Sequence, residues 1–267
     1  SQGDPAEAGE ALDRMVRQGL LIREGDGPEE VLRFAHPSAP VVVADDMSPG
    51  VRARMHGRIA DVLMRRRRRE ALLEVAEHLL AAGEKTAAYP MLVRAGRREA
   101  RAGRYGTVLR ICERAEAVRI EAERGMEAEE IPRTRRWLRM LMGEAHLGRG
   151  GWAAAAAHLE EAVEAAREEG DQAVVSRCLG SLGRAQFRKG DLDAAEVTLE
   201  ESLALAERGA PERAAASRAL ADIKLRAGEF QASRDLWEDA LEAAVQSGSA
   251  DAEARARRGL AHAKALL

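Results

Sequence analysis

The 267-residue sequence has no asparagine, only two cysteines, and aromatic side chains at just 3% of positions. It also lacks any run of 18 apolar residues, which excludes a membrane-spanning helix. Cys112 and Cys178 stand alone, without a CxxC partner or a histidine-rich neighbourhood, so no disulfide framework or zinc knuckle is written here. They read as buried free thiols, which fits a reducing cytoplasm. The six histidines form neither an HxxxH nor an HExxH pair, and no metal is assigned. GEKT at residues 83–86 superficially resembles part of a phosphate-binding loop. Glu84 separates Gly83 from Lys85, and no strand precedes them, so the spacing fails. No Ser/His/Asp order, paired carboxylates or glycine elbow stands out. The chain is therefore expected to be non-catalytic and without a cofactor.

What is present is alanine, leucine, glutamate and arginine, with 33% charged residues overall. That composition suits stacked amphipathic helices with solvated outer surfaces. Charge is distributed unevenly. Residues 1–69 are net +1 and residues 70–150 net +2. Residues 151–267 carry 15 basic against 21 acidic groups, net −6. An acidic C-terminal half argues against general nucleic-acid binding there. The run Arg65–Arg69 is the strongest local charge. It is either a contact for nucleic acid or acidic lipid, or a solvated helix end favoured by the helix dipole.

The second half repeats itself. GEAHLGRGGWAAAAAHLEEAV begins at Gly143, GRAQFRKGDLDAAEVTLEESL at Gly183, and ADIKLRAGEFQASRDLWEDAL at Ala221. A turn glycine follows each opening residue, at Gly150, Gly190 and Gly228. Large residues follow at Trp152, Leu192 and Phe230, and again at Leu159, Leu199 and Trp237. Small ones flank the second set: Ala155, Ala195 and Ser233 before it, Ala162, Ser202 and Ala240 after it. Small residues let paired helices approach, turn glycines supply a left-handed backbone angle, and both sets of large residues are expected to fill the seam. One pair cannot bury its own apolar face, so copies must stack. A further opening helix carries Gly259; it is either a capping helix or part of an array that continues beyond Leu267, and the second is the expectation. Upstream, Gly83 and Gly103 are only 20 residues apart. One helix over about 86–101 must therefore serve two pairs, with Pro90 near its start, and 121–132 reads as a polar connection.

This alternation resembles the tetratricopeptide repeat, with a spacing longer than that family's usual 34 residues. The resemblance covers roughly residues 136–267. It implies that the first helix of each pair lines a concave groove. The groove-facing positions would then be Trp137, Met140, Glu144 and Leu147; Arg177, Arg184, Phe187 and Arg188; and Arg218, Asp222, Leu225 and Arg226. Arg177, Arg184, Arg188, Arg218 and Arg226 either hold an acidic or extended peptide, with Trp137 as anchor, or pair with neighbouring glutamates. The chaperone-tail clamp known in this family relies on asparagines, which this chain lacks.

The N-terminal part differs. ALDRMVRQGLLIRE reads as a helix ending at Gly19 and then a strand, DGPE as a turn, and VLRFAH as a second strand. Leu20-Leu21, Phe34-x-His36 and Ser48-Pro49 through His56 resemble the winged-helix junction of STAND-type and AAA-like signalling ATPases. There such a junction leads into tetratricopeptide-like repeats. Ser48 is a good helix cap and Pro49 a good first helical residue. Pro37 and Pro40 are expected to exclude an ordinary helix directly after His36.

The expected fold is mainly α: an α-solenoid of extended tetratricopeptide-like hairpins after a partial winged-helix unit. Residues 1–64 form the junction, 65–130 irregular helical repeats and 131–267 the extended repeats. The start at Ser1 reads as that of a trimmed chain. The resemblance implies a cytoplasmic protein-, peptide- or effector-binding module of a larger bacterial ATPase, serine/threonine kinase or transcriptional regulator. Its partners would be a protein or acidic peptide and other domains of the parent chain. The alternative is a DNA-contacting segment using the winged-helix remnant and Arg65–Arg69.

Overall fold

The computed structural model describes residues 5–25, 31–65 and 71–267. A first helix, α1 (Pro5–Arg17), leads into an antiparallel pair, β1 (Leu21–Glu24) and β2 (Val31–Phe34), with Leu21 opposite Phe34. Gly19, at φ +71°, makes the turn between helix and strand. Two further helices follow, α2 (Ala39–Asp46) and α3 (Pro49–Arg65). The expected turn DGPE lies outside the described residues, as do Arg66–Arg69.

α2 corrects the sequence reading. Pro37 stays outside the helix, and Pro40 falls in its first turn, where a missing N–H breaks no helical bond. Val41, Val42 and Val43 then continue a helix that buries none of its residues. α3 begins where the Ser48-Pro49 signal put it, and the Val51 N–H points to Ser48 Oγ at 3.4 Å.

From there the chain runs as α4 (Leu72–Ala81), α5 (Lys85–Arg101), α6 (Tyr105–Glu123), α7 (Glu130–Arg149), α8 (Trp152–Glu169), α9 (Gln172–Lys189), α10 (Leu192–Leu205), α11 (Pro211–Arg226), α12 (Phe230–Gln246) and α13 (Ala250–Ala265). Each helix packs on its chain neighbours. In addition α5 touches α7, α7 touches α9, α9 touches α11, and α11 touches α13. The odd-numbered helices from α5 onward therefore form one wall of a solenoid, with the even-numbered helices outside it. The shared helix expected between two pairs is α5, which packs on both α4 and α6. Pro90 sits further into it than expected, at the sixth helical residue. The polar connection is shorter than expected, because α6 and α7 both extend into 121–132.

Close approach explains the small residues that open the repeats. A Cβ added at Gly143 would lie 2.5 Å from Leu159 Cγ, and one at Gly183 2.5 Å from Leu199 Cγ. Leu159 and Leu199 are fully buried by that contact. Truncating either to alanine would cost about 2–5 kcal/mol. The other large set behaves differently from the expectation. Trp152 and Phe230 are half-buried at helix starts and Leu192 is exposed, so none of the three fills the seam.

The core between the walls is a chain of local clusters, as stacking predicts. Tyr89, Leu92, Val108, Cys112 and Leu138 fill one, and Met140, Leu159, Val163, Cys178 and Leu179 the next. Burial pushes both thiols up to about 12, which leaves them unreactive at neutral pH. The buried Ser176, Ser202 and Arg136 are matched, whereas the Tyr89 hydroxyl and the Trp237 indole N–H have no hydrogen-bond partner among the described residues. Ser176 and Ser202 each donate to the other's backbone carbonyl, at 2.9 and 2.8 Å. Arg136, 3% exposed, donates to Glu169 through Nε and through Nη2 at 3.2 Å.

Candidate functional site

The concave wall holds a groove of about 580 Å³, a volume typical of ligand sites. α7 contributes Glu144, Leu147 and Gly148 to it. α9 contributes Arg184, Phe187 and Arg188, and α11 contributes Arg218 and Asp222. These positions recur because residues three and four apart share one helix face. Tyr105, Trp152 and Arg255 complete the lining. Three aromatic rings thus meet in one groove of a chain that is only 3% aromatic.

The electrostatics are those of cations held close together. Burial lowers the Arg218 pKa, and Arg184, Arg255 and Arg188 lower it further by repulsion, while Asp222 opposes them. Arg218 reaches Asp222 only at 3.9 Å. Arg184 and Arg188 form no ion pair among the described residues. Burial also raises the Glu144 carboxyl above its ordinary range, against the pull of Arg184 and Arg177. Asp222 is raised for the same reason, against Arg218. Arg255 is paired with Asp251, so Arg184, Arg188 and Arg218 face two reluctant carboxylates, and the surplus favours an anion.

The residues singled out from sequence divide. Glu144, Leu147, Arg184, Phe187, Arg188, Arg218 and Asp222 line the groove. Arg226 lies beside it, its guanidinium 4.5 Å from the Phe187 ring centre. Arg177 is taken up as a strut, donating to Glu212 at 2.6 Å across to α11. Met140 is a correction: it is 2% exposed and belongs to the core, because its face of α7 turns toward α8 and α9. Leu225 does not reach the groove lining. Trp137 packs against two core clusters, under Arg97 at 3.6 Å and Arg136 at 4.8 Å, and borders a smaller hollow instead.

Sequence reasoning missed Tyr105, Trp152 and Arg255. Trp152 occupied an aligned repeat position but was assigned to the seam. Tyr105 comes from the irregular upstream section, and its ring rests where a side chain at Gly148 would stand. Arg255 is one residue off the position that the 38-residue offset pairs with Arg218, so only the packing of α13 brings it in. Four of the six histidines pair locally: His56 and His78 through Nδ1 atoms 2.7 Å apart, His146 and His158 as stacked rings. Among the described residues no group of three potential metal ligands occurs, and no helix is long and apolar enough to cross a membrane.

Residues 134–208 match the family model of the tetratricopeptide repeat. The chain carries a tetratricopeptide-type helical repeat region. Solved structures agree on the fold. MamA residues 41 to the end, from Desulfovibrio magneticus RS-1, is 18% identical with a TM-score of 0.51, covering 76% of this chain and all of that one. A Rap protein complexed with competence and sporulation factor is 13% identical with a TM-score of 0.53, covering 85% of this chain and 70% of that one. BtubC from P. vanneervenii is 14% identical with a TM-score of 0.50, covering 83% and 91%. No curated protein matches the sequence.

Proposed function

We propose that the tetratricopeptide-type region is a non-catalytic interaction module whose concave groove captures an acidic, extended peptide segment of a partner protein. The observation that carries this reading is the groove itself. Arg184, Arg188, Arg218 and Arg255 surround Tyr105, Trp152 and Phe187 on the inner wall, and the first two lack carboxylate partners among the described residues. Guanidiniums bind carboxylates through paired hydrogen bonds, and aromatic faces add contact area at little entropic cost. The structure of a Rap protein in complex with competence and sporulation factor supports the use of this fold for ligand capture.

The module belongs, in this reading, to a larger cytoplasmic bacterial signalling protein, an ATPase, serine/threonine kinase or transcriptional regulator. Residues 1–64 form the winged-helix-like junction to its other domains. The helix, hairpin and helix order of α1 to α3 supports that assignment. Ligand capture would act on the parent only by favouring one of its two states. Arg66–Arg69, on which the DNA-contacting alternative rests, lie outside the described residues.

Fluorescence anisotropy with short fluorescein-labelled peptides rich in Glu tests the groove. Saturable binding is expected, weakened about tenfold or more by Arg184→Gln with Arg188→Gln, as loss of charge-assisted bonds requires. Circular dichroism should be unchanged. Absence of saturable binding, or binding indifferent to the double variant, overturns the reading.

A further inference from the structure

Glu144 borders two adjoining hollows. One is the groove. The other, about 190 Å³, lies between α5 and α7 and is bounded by Arg97, Ala100, Arg101, Trp137 and Leu141. The Arg97 guanidinium sits 3.6 Å above the Trp137 ring, and stacking of this kind fixes its plane while leaving its N–H edges as donors. Neither Arg97 nor Arg101 forms an ion pair among the described residues. Their neighbours on the same wall are different: Arg136 is neutralised by Glu169 and Arg177 by Glu212. Burial lowers the Arg97 pKa, and repulsion from Arg101, Arg136, Arg133 and Arg177 adds to it. The wall therefore carries two separate groups of uncompensated guanidinium charge, Arg97 with Arg101 and Arg184 with Arg188. A half-buried carboxylate that itself lacks an ion pair among the described residues, Glu144, stands between them.

We propose that the concave wall is a bipartite anion reader, in which one anionic group of an extended peptide binds Arg184 and Arg188 and a second binds Arg97 and Arg101. The peptide segment crossing Glu144 is neutral or basic. This inference rests on the groove reading above and adds to it a second subsite, contributed by a helix upstream of the repeat-family match. Glu144 supplies the selectivity. A continuous run of acidic residues would place a like charge against a desolvated carboxylate, which is repulsive, whereas two acidic ends with a neutral centre avoid it.

Three labelled peptides of equal length decide the matter by anisotropy: acidic at both ends with a neutral centre, acidic at one end only, and acidic throughout. The two-ended peptide should bind about tenfold more tightly than the one-ended peptide, one further charge-assisted contact being worth that much. It should also bind more tightly than the fully acidic peptide. Arg97→Gln with Arg101→Gln should erase the advantage of two acidic ends and leave one-ended binding unchanged. Arg101 is exposed, so Arg101→Gln alone serves if loss of the Trp137 stack unfolds the double variant, and it should narrow the same difference. Equal affinity of the one-ended and two-ended peptides for the wild-type chain overturns the bipartite reader. So does equal weakening of both by R97Q/R101Q. In either case one-ended binding that still depends on Arg184 and Arg188 leaves the groove reading standing. Failure of all three peptides to bind removes both.

Discussion

At the scale of the residue, this protein is governed by what each side chain finds within a few ångströms. Glu144 is the clearest instance. Burial disfavours its ionised form, and neither Arg184 nor Arg177 comes close enough to form an ion pair with it. Its proton is therefore held more tightly in the folded chain than in the unfolded one. Stability contributed by that group falls as pH rises from the ordinary carboxylate range through the raised folded value. Below both values the folded and unfolded carboxyls are equally protonated and the difference vanishes. Glu144→Gln should raise the thermal midpoint at pH 7 and leave it unchanged near pH 3. Melting curves across pH, compared with wild type, check the sign. Arg136 shows the opposite case, a buried cation fully met by Glu169, and removal of that partner would cost about 3–5 kcal/mol. Arg136 and Arg177 could not be told from Arg184 by sequence, because all three occur on amphipathic helices among many glutamates. Only the distances to Glu169 and Glu212 separate struts from groove residues.

At the scale of the element, the helix signals were legible where they are local. Ser48-Pro49 starts α3, and Gly150 and Gly190 end α7 and α9 in left-handed conformations at φ +82° and +93°. Proline was read less well, because its effect depends on where the helix begins. Pro40 lies in a first turn and is harmless there, whereas Pro90 lies past the first turn of α5. At that position its missing N–H removes a bond to the Thr86 carbonyl. Pro90→Ala should restore the bond and stabilise the chain by about 1 kcal/mol or more, on the scale of helix propensities. Urea denaturation at constant slope measures it, and a fall in the midpoint would show that α5 depends on the ring.

At the scale of the whole molecule, each helix pair is completed by the next. Trp237 of α12 is 5% exposed, and its ring occupies the space that a side chain at Gly259 of α13 would need. Removal of 250–267 should therefore uncover Trp237. In a Trp137→Phe, Trp152→Phe background, acrylamide should quench the remaining indole readily in the shortened chain and poorly in the full one. The thermal midpoint should also fall, since terminal units of a stacked array carry a shared interface.

The sequence by itself determined the helices of the repeats, their turns, and the small positions where they touch. These follow from backbone angles and steric volume, which are properties of residues a few places apart. It also determined that the inner wall would be rich in arginine. The tertiary structure alone decided which of those arginines are free. It brought Tyr105 and Arg255, 150 residues apart in the chain, into one groove, and it buried Met140 while leaving Trp152 half-open. The physical reason is that desolvation, ion pairing and repulsion depend on neighbours supplied by other helices. The angle at which those helices stack is encoded by no single repeat.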